Sequence, residues 1–246
     1  MAGHSRWAKV KNFKGAIDAK RGRIFAKLGK EIAISAKLAG GDPHMNPRLR
    51  MALLKSRAAN MPLDNIERAI KRGLGGEGTA NFEDLTYEAY GPCGVALLVE
   101  LSTDNRNRTA AEIRSVLTKN GGAIASAGSV TRLFHRKGQL VVARDGVNED
   151  QLMEMALEAG AEDFKAEADS FEILTDPGHF EAVHKQVESK GLKCAVAEVT
   201  FLPTLTVPLA DAASVVAVSK LIDLLEEHDD VKEVYSNAEF PDETGV

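Results

Sequence analysis

The fold class is decided by residues 139–174, which read QLVVARDGVNEDQLMEMALEAGAEDFKAEADSFEIL. An apolar run opens this stretch, a polar turn follows, and apolar residues then recur every three or four positions, as in a helix. Two strand-like runs close it, and a further helix and strand come after. This order, strand–helix–strand–strand–helix–strand, is that of the split βαβ or ferredoxin-like fold. The predicted elements are strands at 139–143, 164–168, 171–174 and 194–201 and helices at 149–158 and 178–189.

The segments on either side of this unit form a second α/β pattern. The predicted elements are strands at 85–90, 95–101, 205–208 and 231–239 and helices at 106–119 and 212–227. The last helix and strand need partners, which the segment before the unit can supply. We therefore predict an α+β, multidomain chain with one α/β domain inserted in the other. Its domains are a basic helical domain at 1–78, a discontinuous α/β domain at 79–136 and 203–246, and an inserted ferredoxin-like domain at 137–202.

The first 75 residues predict three short helices. The first helix should end near Gly40-Gly41, because glycine readily adopts the left-handed conformation that closes a helix. Asn46-Pro47 indicates an N-cap followed by the first helical residue of the second helix. The buried sides are predicted to hold Ile24, Phe25, Leu28, Ile32 and Ala36, then Leu49, Leu53 and Leu54, then Ile66, Ala69 and Ile70.

A glycine-rich motif follows the third helix. Gly73-Leu74-Gly75-Gly76-Glu77-Gly78 matches the pattern G-x-G-x-x-G. The phosphate-binding form of that pattern follows a strand and opens a helix, whereas this one follows a helix. We interpret it as a helix stop and a linker.

Charge is divided unequally along the chain. Residues 1–75 hold 17 Lys and Arg against 5 Asp and Glu, a net charge of +12, and the remainder carries −17 within a total of −5. Such asymmetry predicts a polyanion as the partner of the basic part, although a solvated basic face is the alternative. The acidic pairs Glu226-Glu227 and Asp229-Asp230 are interpreted as solvated surface.

The candidate nucleic-acid contacts are the cations expected on the outer side of the basic domain and at one turn beyond it. That turn, Thr103–Thr109, lies where a strand gives way to a helix, and either Thr103 or Asp104 can cap the helix. Two arginines at a helix start oppose the helix dipole, which a bound anion would explain. The candidates are Arg6, Lys9, Lys11, Lys14, Lys20, Arg21, Arg23, Lys27, Lys30, Arg48, Arg106 and Arg108.

The chain shows no convincing catalytic or metal-binding pattern. Cys93 and Cys194 form no CxxC pair, and His179 and His184 lack the spacing of a metal-binding helix. No apolar run approaches the roughly 20 residues of a membrane-spanning helix. We expect a cytoplasmic, non-enzymatic protein without metal or cofactor. A mitochondrial transit peptide is the rival interpretation of the basic start.

Eight short motifs are spread along essentially the whole chain. They are Met1–Trp7, Asp18–Phe25, Gly40–Pro43, Asn46–Leu49, Asn60–Pro62, Tyr87–Pro92, Asp104–Thr109 and Glu158–Asp163. Together these motifs resemble those of the YebC/PmpR family, although Cys93 stands where that family commonly has glycine. The resemblance implies a helical domain and two α/β domains in a cytoplasmic, non-enzymatic protein. Members are described as probable transcriptional regulators that bind DNA, and others, including mitochondrial relatives, as translation factors at the ribosome.

Together these features predict a non-enzymatic, nucleic-acid-binding regulator of gene expression. A DNA-binding transcriptional regulator is the first hypothesis. A translation factor that binds structured RNA or the ribosome is the alternative, and charge does not choose between them. A protein-binding adaptor acting through the acidic α/β domains is the second alternative.

Overall fold

A computed structural model describes residues 17–75 and 82–241, with only the helical backbone of residues 17–21. The described chain falls into two compact units. Unit 1 runs to Phe134 and resumes at Pro203, and unit 2 is His135–Leu202. Three helices precede two antiparallel α/β sheets, so the predicted α+β class is confirmed. The proposed three-domain boundaries stay predictions, and the one at residue 78 lies outside the described residues.

Unit 1 begins with helices α1 (Ile17–Ala39), α2 (Pro47–Ala58) and α3 (Leu63–Leu74). The end of α1 is where the glycines predicted it. Gly40 has a φ of +87° and donates its N–H to the carbonyl of Ala36 at 2.9 Å. This left-handed residue satisfies a carbonyl that the helix would otherwise leave unpaired.

Asn46 joins the end of α1 to the start of α2. Its side-chain oxygen accepts the N–H of Leu49 at 3.0 Å, as predicted for an N-cap. Its Nδ2 donates to the carbonyls of Ser35 and Gly40, each at 2.8 Å. Because Asn46 is buried, these bonds fix the two helices relative to each other.

Gly73 allows α3 to approach α1 closely. A Cβ at this position would lie 2.3 Å from the carbonyl oxygen of Ala33 and 2.9 Å from the Cβ of Ala36. Gly73 is therefore part of the helix contact, and only the end of the glycine-rich motif follows the helix, which stops at Leu74. The helices enclose a small apolar core of Ile32, Leu49, Ala52, Leu53, Met61, Ile66 and Ala69.

After the three helices, the described part of unit 1 continues with six strands and two helices. They are β1 (Glu83–Tyr90), β2 (Ala96–Thr103), α4 (Arg106–Lys119), β3 (Ala123–Ile124), β8 (Val207–Pro208), α7 (Ala212–Glu226), β9 (Val231–Ser236) and β10 (Ala238–Glu239). The first sheet has the strand order β3-β1-β2-β9, and β8 pairs with β10 in a separate parallel pair. Leu97, Val99 and Leu101 of β2 share a buried core with Ile113 and Leu221 of the helices.

The points where the chain leaves and re-enters unit 1 are fixed by hydrogen bonds. The carboxylate of Glu88 accepts the backbone N–H groups of Gly128, Val130 and Thr131 at 2.6, 2.6 and 2.8 Å. A few residues later, the carbonyl of Leu133 accepts the N–H of Thr204 at 2.9 Å. The two ends of the interruption therefore lie side by side.

Unit 2 consists of four strands and two helices. They are β4 (Phe134–Ala143), α5 (Glu149–Glu158), β5 (Ala161–Ala166), β6 (Ser170–Thr175), α6 (Phe180–Ser189) and β7 (Cys194–Pro203). The strand order is β5-β6-β4-β7, that of a ferredoxin-like sheet. Gly138 leaves room for α6, because a Cβ there would lie 2.9 Å from the Cβ of Phe180.

Candidate nucleic-acid interface

The predicted nucleic-acid contacts divide into those that the structure places and those that it leaves outside its described part. Arg6, Lys9, Lys11 and Lys14 lie outside the described residues. Lys20 and Arg21 belong to the described backbone of α1, but their side chains are not described. The placed candidates are Arg23, Lys27, Lys30, Arg48, Arg106 and Arg108.

Three of the placed cations form a stripe on α1, and the stripe contacts the end of α7. Arg23 pairs with the carboxylate of Glu227 at 2.7 Å. The Nζ of Lys27 donates to the carbonyl of Glu226 in the last turn of α7. Burial lowers the pKa of Lys27, and nearby carboxylates, Glu226 first among them, only partly oppose that shift.

Lys30 completes the stripe at a buried carboxylate, Asp230. The Nζ of Lys30 lies 3.0 Å from Oδ1 of Asp230 and donates to the carbonyl of Ser102 at 2.8 Å. The other carboxylate oxygen of Asp230 accepts bonds from Arg108 at 2.9 Å and from Thr109 Oγ1 at 2.7 Å. Asp230 was predicted to be solvated surface, and this is wrong, because the side chain is only 8% exposed.

The ionised form of Asp230 is strongly favoured. Burial acts to raise the pKa of Asp230, but the hydrogen bonds from Thr109, Arg108 and Lys30 outweigh it and lower the pKa well below its usual value. The carboxylate is thus a charged junction between α1, the start of α4 and the segment after α7. No sequence pattern identified it, although the acidic run at 226–230 marks its position.

Arg48 belongs to a second cluster, in which two cations and two carboxylates alternate. Arg48 contacts Glu31 through Nε and Asp84 through Nη1, both at 2.7 Å. Lys232 contacts the same two carboxylates at 3.2 and 3.7 Å. Burial acts to raise the pKa of Asp84, but the hydrogen bond from Arg48 and the charge of Lys232 outweigh it, so the pKa is lowered. We call these four residues the charge ring.

Arg106 and Arg108 occupy the first turn of α4, with different surroundings. Arg106 is exposed, whereas Arg108 pairs with Asp104 at 3.0 Å and with Asp230 at 2.9 Å. The residue that caps α4 is Asn105, whose side chain accepts the N–H of Arg108 at 3.1 Å, so the prediction of Thr103 or Asp104 as cap was wrong. Thr103 instead bonds the N–H of Asn105 and the hydroxyl of Thr109.

Other exposed cations, which are not among the predicted contacts, lie on α2 and α3. Arg57, Arg68 and Lys71 are all exposed. Asp64 and Glu67 are exposed on the same helix as two of them, so α3 presents mixed charge. The described part of the helical domain therefore offers less unopposed positive charge than its sequence predicts.

The sheet of unit 2 does not provide an aromatic platform for bases. Phe164 and Phe171 stack with ring centroids 5.5 Å apart, on the face of the sheet that Gly138 shares with α6. The opposite face carries Gln139 and the carboxylate of Glu172, which are hydrogen-bonded to each other. Base stacking on a sheet needs exposed aromatic rings, whereas Phe171 is buried and Phe164 is half-buried.

Within residues 17–75 and 82–241, no group of three or more His, Cys, Asp and Glu side chains could hold a metal ion. The same residues contain no helix long and apolar enough to cross a membrane. Burial raises the pKa of the Cys194 thiol to about 12, so this cysteine is a poor nucleophile at neutral pH.

Comparison with family models covers nearly the whole chain. Residues 5–76 match the TACO1/YebC protein N-terminal domain, and residues 82–238 match the TACO1/YebC second and third domain. The gap between the two matches coincides with the undescribed segment after α3.

Individual relatives match along their full length. A probable transcriptional regulatory protein of Treponema denticola is 52% identical over 98% of each chain. One of Halothermothrix orenii is 52% identical over 99% of this chain and 97% of its own. The crystal structure of a conserved hypothetical protein from Aquifex aeolicus superposes with a TM-score of 0.79 at 44% identity, covering 92% of this chain and 93% of that one.

Proposed function

Because the chain belongs to the TACO1/YebC family, whose members named above include probable transcriptional regulatory proteins, we propose that it is a non-enzymatic, nucleic-acid-binding regulator of gene expression working in the cytoplasm. DNA is the proposed ligand, since transcriptional regulation acts on DNA. Its phosphates would meet the basic start of the chain, leading into the first turns of α1.

The charge of that segment carries the proposal. Residues 1–21 hold six Lys and Arg against a single Asp. Farther along, the cations Lys30, Arg48 and Arg108 each have a carboxylate within 3.0 Å, which lowers their value as phosphate ligands. The proposed leading contacts are accordingly Arg6, Lys9, Lys11, Lys14, Lys20 and Arg21, with Arg106 as an exposed addition. Arg23 is a further addition, because it is 54% exposed although it pairs with Glu227 at 2.7 Å.

The placed and paired cations have a different proposed part in function. Lys30 and Arg48 hold the helical domain against the first sheet through Asp230 and Asp84. The phosphate contacts proposed for the basic start would position the protein on nucleic acid and give affinity, but such contacts carry little sequence information. We therefore expect weak discrimination between duplexes of different sequence.

Salt-dependent binding to a duplex DNA tests the proposal. With about six phosphate contacts, the logarithm of affinity should fall against the logarithm of salt concentration with a slope near −5. Replacing Arg6, Lys9, Lys11 and Lys14 with Gln should make that slope shallower by about 3 to 4. The matched control replaces with Gln four exposed lysines that lie outside the three N-terminal helices, Lys119, Lys185, Lys193 and Lys220.

An equal loss of affinity for duplex DNA in the two variants would contradict the proposal, because such a loss would reflect the change in net charge alone. A wild-type affinity that does not change with salt would also contradict it. A parallel titration with a structured RNA hairpin separates the two ligand classes, since tighter binding of the hairpin at matched salt would favour the translation hypothesis over DNA.

A further inference from the structure

The stripe on α1 presents three cations in one direction. Arg23, Lys27 and Lys30 are separated by four and then three residues, a spacing that places them on one side of a helix. All three end on the last turn of α7 or the segment after it. A row of cations at this spacing is suited to contact successive phosphates, but here it contacts protein.

The protein partner of the stripe is itself strongly anionic. Residues 226–230 read EEHDD, four carboxylates in five residues, at the C-terminal end of a 15-residue helix. The carbonyl groups at a helix C-terminus add partial negative charge, and Lys27 donates to one of them. This acidic end of α7, defined as residues 226–230, resembles a short run of phosphates in charge.

The contact between the stripe and the acidic end of α7 is exposed to solvent at Arg23 and buried at Lys30. The Arg23 and Glu227 side chains are 54% and 48% exposed, so water and salt reach this pair. At the other end, Asp230 would keep its bonds to Arg108 and Thr109 if Lys30 left. If the stripe moved away, the buried carboxylate of Asp230 would therefore still have hydrogen-bond partners.

The apolar cores do not oppose such a withdrawal. The core of the three helices, around Ile32 and Leu49, and the core of the first sheet, around Leu97 and Leu221, share no described residue. The charge ring and the pair of Lys55 with Glu233, at 3.3 Å, also join the helices to the sheet. The stripe differs from them because it faces four carboxylates within five consecutive residues, and this run resembles a bound polyanion.

We propose that the acidic end of α7 occupies part of the phosphate-binding side of α1, so that nucleic acid and residues 226–230 compete for Arg23, Lys27 and Lys30. The inference rests on the proposed function, because it concerns the same ligand. It makes the contact an internal competitor: the basic start of the chain binds first, and phosphates then displace the carboxylates from the stripe.

Neutralising the competitor while leaving Asp230 in place tests the inference. The double variant Glu227→Gln with Asp229→Asn should bind a duplex DNA of about 20 base pairs severalfold more tightly than wild type, with a salt slope steeper by about 1 for each additional phosphate that the protein binds. The control, Glu154→Gln with Glu158→Gln, makes the same charge change at two exposed positions of α5. An equal rise in affinity in the two variants would overturn the inference.

Hydrogen exchange supplies a second measurement on the wild-type protein. Adding the duplex should speed amide exchange in the last turn of α7, because displaced carboxylates no longer hold it against α1. Unchanged or slower exchange there would overturn the inference. If wild type binds DNA and loses it when residues 6–14 are neutralised, while the α7 variant behaves as its control, only this inference fails. If no variant binds nucleic acid, the proposed function fails with it.

Discussion

The three helices and the first sheet of unit 1 are stabilised in different ways. The sheet core contains 15 buried residues from six elements and their connections, whereas the helical core contains seven, two of them alanines. The helices compensate through a close backbone contact at Gly73 and through charged bonds to the sheet at Lys30 and Arg48. A domain with a small core is thus made rigid by its neighbour, and the following variants test that difference from the largest expected effect to the smallest.

Gly73→Ala should have the largest effect, and it should act on the helices alone. The added Cβ would lie 2.3 Å from a backbone oxygen of α1, so α1 and α3 must separate, at a cost of about 2 to 3 kcal/mol. Hydrogen exchange should then show faster opening of residues 22–75 than of the first sheet. The control, Gly22→Ala, places a Cβ where no described atom lies within 4 Å and should stabilise the helix by about 0.5 to 1 kcal/mol. Equal effects of both changes would contradict this view of the helix contact.

Asp230→Ala should destabilise unit 1 by about 2 kcal/mol, because it leaves Lys30, Arg108 and Thr109 without their shared acceptor. Urea denaturation measures the loss. Asp229→Asn, at the neighbouring exposed position, should change the free energy of unfolding by less than about 0.5 kcal/mol. A loss at Asp229 as large as that at Asp230 would mean that charge density, and not the buried junction, holds the domains.

Acid should weaken the protein through the same carboxylates. The pKa values of Asp84 and Asp230 are lowered in the folded state, so their contribution is complete above the unfolded value of about 3.9 and is lost as the pH falls toward the folded values. The urea midpoint should therefore begin to drop near about pH 4 and continue to drop as the pH is lowered further. The drop should be smaller in Asp230→Asn than in wild type, and an identical drop would remove Asp230 from this explanation.

Arg48→Gln should cost about 1 kcal/mol, since it leaves Glu31 and Asp84 of the charge ring with Lys232 alone. Arg57→Gln, on the same helix but exposed, should change stability by less than about 0.5 kcal/mol. Thermal unfolding of both variants side by side gives the comparison. Similar losses of stability in the two variants would show that Arg48 of the charge ring contributes no more than an ordinary surface cation.

Cys93→Gly should have the smallest effect, a stabilisation of about 0.5 kcal/mol. Cys93 has a φ of +59°, in the left-handed region where a Cβ is strained and glycine is not. The greater freedom of glycine in the unfolded chain offsets part of that stabilisation. Because the residue lies in the turn between β1 and β2, the helices should be unaffected, and destabilisation on urea denaturation would contradict the argument.

Local patterns predicted the elements well and their partners poorly. The helices predicted at 106–119 and 149–158 begin and end at those residues, although the cap predicted for the first was wrong, and Gly40 ends α1 as expected. Periodicity tells which side of a helix is polar, but it does not tell what that side faces. Lys30 and Asp230 are 200 residues apart, and only the folded sheet brings them together.

Gly73 shows the same limit within a single motif. Its neighbours suggested a linker, because sequence alone gives glycine a turn role as readily as a packing role. The structure instead assigns it to the contact with Ala33 and Ala36. For the proposed interface, the sequence supplied the list of cations, and the fold decided which of them already hold a carboxylate.

The hydrogen bond between Leu133 and Thr204 has a consequence for how this architecture can change. Because Leu133 and Thr204 lie next to each other, a turn of a few residues would connect them if the intervening 70-residue stretch were removed. Such a short loop closes at little entropic cost. Glu88 holds one side of this junction through its bonds to Gly128 and Val130. The ferredoxin-like unit is therefore an insertion that can be exchanged, lengthened or lost while the strands of unit 1 stay paired.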